Sequence, residues 1–175
     1  GYATAWLGKN HVTPKWETGP QGPFDRWPNG LGFDYFYGFM GGATDQWDPV
    51  LVENRNPVEP PRDDPDYILD RDLADHAIGW IRQHRATDPR RPFFLYFASH
   101  IPHKPLRTAP DFIGRSAAGP YADAILELDS RVGEILATAG AVGRNVVRGV
   151  FPGEQGGPHV HAIAAMATCF KLAMT

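Results

Sequence analysis

Cysteine is almost missing from this sequence, with Cys169 standing alone among 175 residues. That excludes an intrachain disulfide framework and any zinc or iron–sulfur site built from several cysteines. Long hydrophobic runs are missing too. Stretches such as Phe93 to Ala98 fall far short of the roughly 18 apolar residues a membrane-spanning helix needs. There is no excess of positive charge either. Seventeen Lys+Arg against 20 Asp+Glu give a formal charge of −3, which disfavours a generic nucleic-acid or anionic-membrane binder. No internal repeat is visible. Gly1 is preceded by neither an initiator Met nor a signal peptide, and the expectation drawn from this is an incomplete chain. Lack of disulfides leaves the compartment open.

Apolar residues are present in ordinary proportion, 42% against 21% charged, as in a soluble globular chain. Tyr2 to Leu7 carries aromatic and β-branched residues and stops at Gly8, which predicts a strand with Lys9 and His11 just past its end. From Asn10 to about Asp66 the chain is dense in Pro, Gly and Trp and keeps neither a 2 nor a 3.6 period. That predicts a long irregular excursion. Aromatics such as Phe24, Trp27, Phe33 and Phe36 argue that it is packed, because disordered segments are poor in such residues.

The second half is more regular. Leu69, Leu73, Ala77, Trp80 and Ile81 repeat at helical spacing, which predicts a helix from Tyr67 to His84 with its acids near the start. Phe93 to Ala98 is a continuous apolar run that suits a strand buried on both faces. Tyr121, Ile125, Leu128, Val132 and Ile135 predict a second helix that stops near Gly140, and Asn145 to Phe151 reads as a further strand. Strand, excursion, helix, strand, helix, strand is the signature of an α/β domain with a mostly parallel sheet. In such domains polar groups at the carboxyl ends of the strands form the site.

Two polar clusters fall at such ends: Lys9-Asn10-His11, and His100-Ile101-Pro102-His103-Lys104. An ammonium and imidazoles together suit a tetrahedral oxyanion, since they supply fixed positive charge and groups that move protons near neutral pH. Taken alone, these residues read first as solvated loop residues, since such side chains are common on loops.

The strings themselves carry more. Gly1-Tyr2-Ala3-Thr4, followed by Gly8-Lys9-Asn10-His11, resembles the second signature of the sulfatases. Phe24-Asp25-Arg26-Trp27-Pro28, Gly30 to Phe39, Leu51 to Asn54, Asp72 to Ile78, Pro92 to Tyr96, Pro102 to Leu106 and Leu128 to Gly133 recur in the order of bacterial arylsulfatases. The resemblance implies part of an alkaline-phosphatase-like α/β sandwich with a mostly parallel central sheet and a long, irregular, aromatic-rich insertion. It also implies a sulfuric ester hydrolase that uses formylglycine and Ca²⁺ on a sulfate-ester small molecule or sulfated glycan. By motif, Lys9 would contact a sulfate oxygen, His11 would bond the nucleophile's hydroxyl, and His103, preferred to His100 for its Pro-His-x-Pro setting, would serve the leaving group. Glu154 and Gln155 occupy the place of the family's metal-binding Asp-Asn pair, one methylene longer each.

The resemblance also has gaps. Cys169 is followed by Phe170-Lys171-Leu172-Ala173, without the Pro and Arg of the formylglycine motif, and the paired aspartates of the metal site have no counterpart. The expectation is a partial sulfatase domain over residues 1–160, inactive by itself, and a divergent or frame-altered tail over 161–175. A phosphonate or phosphate ester hydrolase of the same superfamily and a non-catalytic remnant are the rival readings.

Overall fold

The strand predicted at the start of the chain runs further than its apolar residues suggest. In the computed structural model, which describes residues 1–140 and 166–170, β1 spans Ala3–Asn10. Gly8 does not end it. This glycine has φ +104°, and a Cβ there would lie 1.9 Å from the Ala98 carbonyl oxygen. Only a residue without a side chain lets the strand bend at this point and keep its pairing.

Two strands flank β1 in parallel: β2 (Tyr35–Met40), which pairs Gly38 with Gly8, and β5 (Phe93–Ala98), which pairs Ala98 with Gly8. Outside β2, a hairpin of β3 (Leu51–Glu53) and β4 (Asn56–Val58) adds antiparallel strands. Outside β5, β6 (Met166–Phe170) closes the other edge, also antiparallel. The six-stranded order is β4-β3-β2-β1-β5-β6. This is the expected α/β arrangement, with parallel strands at the centre.

Within the expected irregular excursion the structure therefore places β2, β3 and β4. The run Tyr35-Phe36-Tyr37-Gly38-Phe39 lacks alternation because β2 is covered on both faces, so period alone does not reveal it. The remainder of the excursion is turns and a single 3₁₀ turn over Lys15–Glu17.

The pleat divides the core. Ala3, Ala5 and Leu7 of β1, Tyr37 and Phe39 of β2, and Phe93, Leu95 and Phe97 of β5 face α1 (Leu69–Thr87) and α2 (Pro120–Ala139). These helices supply Leu73, Ala77, Ile81, Leu128 and Ile135 to the same cluster. Trp6, Phe36 and Val52 face the other way and are roofed by Phe24, Trp27 and Phe33 of the excursion. Trp6 meets Phe33 and Tyr96 edge-on, with ring centroids 5.2 and 4.9 Å apart. The aromatic-rich excursion thus does the work of a helix layer. Residues 145–151, Glu154 and Gln155 lie outside the described residues, so the expected late strand and metal pair are not part of this description.

Candidate active site

β1, β2 and β5 run parallel and deliver their carboxyl ends to one edge, in register: Asn10 lies opposite Met40, and Gly8 opposite Ala98. Lys9 is half-buried at the end of β1, and burial pulls its ammonium pKa below the ordinary value. Asn10 is fully buried and organises the turn that follows. Its Oδ1 accepts from the Val12 and Thr13 backbone N–H groups at 3.0 and 3.4 Å, and its Nδ2 donates to Thr13 Oγ1 at 2.9 Å. The chain folds back at once, and His11 projects from this turn beside Gly42. A Cβ on Gly42 would approach His11 Cε1 to 3.0 Å.

The loop after β5 is held from below by α1. Asp70, fully buried in the first turn of α1, accepts the Ser99 hydroxyl at 2.5 Å, the His100 N–H at 2.9 Å and the Ile101 N–H at 3.3 Å. The side-chain amide of Gln46 donates to the same carboxylate. Ile101-Pro102 and Lys104-Pro105 are both cis. His100 is buried under the Phe39 ring, with centroids 5.7 Å apart, and 5.8 Å from the His103 ring. Burial lowers the His100 pKa; the charges of Lys9 and His103 add to this, and Asp70 and Asp45 oppose it. Lys9, His100 and His103 therefore share one electrostatic environment.

His103 is half-buried, and its Nδ1 lies 2.6 Å from the Lys104 carbonyl oxygen. A carbonyl only accepts, so Nδ1 carries a proton. The β1–β5 pairing thus places the Lys9 end of β1 beside the start of the loop that carries His100 and His103, with His11 on the adjacent turn. The structure adds three residues to the candidate set: His100, second to His103 in the sequence, and Asp70 and Gln46. Asp70 reads in the sequence as a helix-start acid. Gln46 carries no local signal, because its partners lie 24 and 54 residues away.

A hard cation does not fit the described residues. No group of three or more His, Cys, Asp or Glu side chains among them could hold a metal. The nearby acids are occupied: Asp70 by its donors, and Asp45 by the Trp47 and Asp48 N–H groups at 2.8 and 3.0 Å. The side chains left at this edge are an ammonium and imidazoles, groups that suit an anion.

The model of the family described as Sulfatase matches residues 1–147. The chain belongs to the sulfatase family. Human arylsulfatase A is 45% identical over 166 aligned residues, which cover 82% of this chain and 31% of the human protein. N-acetylgalactosamine-6-sulfatase of Canis lupus familiaris is 42% identical over 60 residues, 34% of this chain and 11% of that protein. The crystal structure of Ps i-CgsB superposes with a TM-score of 0.64 at 23% identity, over 78% of this chain and 33% of that one, a likeness of fold. A Bacteroides thetaiotaomicron structure labelled BT33336S-sulf, titled for the metabolism of multiple glycosaminoglycans, gives 0.53 at 26% identity, over 79% and 39%. This sulfatase-family chain thus spans about a third of the length of human arylsulfatase A.

Proposed function

We propose that this chain carries the sulfate-gripping part of a sulfuric ester hydrolase acting on an aryl sulfate or sulfated glycan, within a catalytic-domain segment that extends to about residue 160. The observation that supports it is the placement of Lys9, His100 and His103 at the carboxyl ends of the paired strands β1 and β5, where the nearby carboxylate of Asp70 is already hydrogen-bonded. Lys9 places positive charge against the oxygens on which charge gathers in the transition state. His103, oriented by its Nδ1–H bond to Lys104, serves the leaving oxygen as an imidazolium that gives up a second proton from Nε2 and returns to the neutral Nδ1–H form. His11, on the exposed turn beside Gly42, orients the attacking hydroxyl.

In the family the nucleophile is a formylglycine hydrate supported by Ca²⁺. Cys169, followed by Phe170-Lys171-Leu172-Ala173, does not supply the motif that yields it, and the described residues do not build the metal site. The 175-residue chain alone is therefore expected to release no phenol from p-nitrophenyl sulfate. In a full-length sulfatase carrying this segment, Lys9→Ala should lower kcat/KM by about 2 to 4 kcal/mol of transition-state stabilisation, the scale of one lost oxyanion contact. Unchanged kcat/KM would remove Lys9 from the site. Faster turnover of p-nitrophenyl phosphate than of the sulfate would replace the sulfatase reading with a phosphoester one.

A further inference from the structure

Gln46 is 1% exposed and His100 is 2% exposed, so each polar atom on either must be accounted for. The Gln46 Oε1 faces the Asp70 backbone N–H at 3.4 Å, and its other side-chain atom lies against the Asp70 carboxylate. A carboxylate only accepts, so that atom is the NH₂ group. One of its hydrogens goes to Asp70. The other faces His100 Nδ1 at 3.4 Å. Nδ1 is then an acceptor, and a neutral imidazole that accepts at Nδ1 carries its proton on Nε2. His103 is set the opposite way, with its proton on Nδ1.

His100 Nε2 is buried and has no hydrogen-bond partner. Leaving a buried donor without an acceptor is costly, so this atom is poised for an oxygen. Its surroundings say which kind. The His103 ring lies 5.8 Å away and the end of β1 that carries Lys9 pairs beside the start of the same loop, while the carboxylates of Asp70 and Asp45 are already hydrogen-bonded to backbone and side-chain donors. The geometry points to His100 Nε2–H as a further hydrogen-bond donor to the anion held by Lys9 and His103, with Asp70 and Gln46 as the positioning residues that fix its tautomer. This rests on the anion-site reading above. The atom is shielded from solvent, so entry of the oxygen requires a neighbouring group to move. A neutral donor has a distinct use here: it stabilises an anionic oxygen without competing for the proton that His103 moves.

The tautomer is read directly by two-bond ¹H–¹⁵N correlation on the histidine-labelled 175-residue chain. His100 should show a pyridine-like Nδ1 and a protonated Nε2, and His103 the reverse. Gln46→Met should release the His100 preference and leave His103 unchanged. Titrated sodium sulfate should move the His100 Nε2–H signal and, in a lysine-labelled sample, Lys9 Nζ. His100→Phe should weaken sulfate binding about ten- to a hundredfold, the loss of one bond to a charged acceptor. His100→Gln, which restores a donor amide, should recover most of it at an unchanged Tm. A proton on His100 Nδ1 would overturn the inference. So would sulfate that moves Lys9 and His103 but leaves His100 Nε2–H where it was. Sulfate that moves none of the three would overturn the anion-site reading itself.

Discussion

Asp70 and Ser99 are joined by a 2.5 Å hydrogen bond between the first turn of α1 and the end of β5. The bond is one of several that converge on a single buried carboxylate, and together they set the backbone of the loop that carries His100 and His103. Asp70→Asn keeps the size but places an NH₂ among donors, so at least one buried donor is stranded. We expect a loss of about 3 kcal/mol by chemical denaturation, against about 1 kcal/mol for Ser99→Ala, which removes one donor and strands nothing. Equal losses for the two variants would show that the carboxylate is not the organising group.

Gly8 and Gly38 lie side by side across the β1–β2 pairing, each with another backbone where a Cβ would go. A Cβ on Gly38 would come within 1.9 Å of the Gly8 carbonyl oxygen, and Gly8 also has φ +104°. Gly8→Ala therefore combines backbone strain with overpacking and should cost about 3 kcal/mol or more. Gly79, on the exposed face of α1 with nothing within 4 Å of the place a Cβ would take, is the contrast. Gly79→Ala should stabilise by about 0.5 to 1 kcal/mol through helix propensity alone. Thermal unfolding of both variants checks the pair of signs.

How much of this is legible in the sequence depends on the range of the forces involved. α1, β5 and α2 announce themselves because each is defined by its own spacing, and Gly140 ends α2 as the sequence suggests. β2 does not, because a strand buried on both faces loses its alternation. Lys9 and His103 stand out through the motifs they sit in. Asp70 and Gln46 stay hidden, because a buried hydrogen-bond network is a property of the sheet order and leaves no local pattern. His100 falls between: its string marks the loop, but only burial beneath Phe39 separates its role from that of His103.

His76 and Asp72 form a pair on α1 whose pH dependence can be worked out. The His76 Nδ1 lies 3.0 Å from Asp72 Oδ1, and its ring stacks on Tyr37 at 3.6 Å between centroids. Burial pulls the His76 pKa down, but the hydrogen bonds and charge of Asp72 outweigh it and leave a net rise. Burial pushes Asp72 up, but bonds from His76, Tyr37 and Tyr67 leave it below the usual range. The histidine's contribution is complete below its ordinary pKa of about 6.5 and is lost as pH rises through the raised value. The aspartate's is complete above about 3.9 and is lost as pH falls. The stability gap between the wild-type chain and His76→Ala should thus be widest near pH 5 to 6 and narrow above pH 8. Partial exposure of the imidazole keeps the change under about 1 kcal/mol. A gap that widened toward pH 8 would mean that the native chain favours the neutral imidazole over the imidazolium.

Glu127 works in the opposite sense. It is fully buried in α2, with Oε2 accepting the Ala109 N–H at 2.7 Å, while the Arg131 guanidinium stays 3.8 Å from Oε1. Burial pushes its carboxyl up to about 7, against the pull of the Ala109 bond and the Arg131 charge. Between about pH 4.5 and 7 the native chain therefore keeps a proton that the unfolded chain has released, so stability falls as pH rises through that window. At about 1.4 kcal/mol per unit the loss amounts to about 3 kcal/mol. Glu127→Gln mimics the protonated form and keeps an oxygen for the Ala109 N–H. Relative to the wild-type chain it should be near neutral at pH 4.5 and more stable by about 2 to 3 kcal/mol at pH 8, measured by urea unfolding at both pH values. The direction decides the question. If the variant were less stable at pH 8, Arg131 would have to hold Glu127 as a working ion pair, which a 3.8 Å approach with no hydrogen bond does not support.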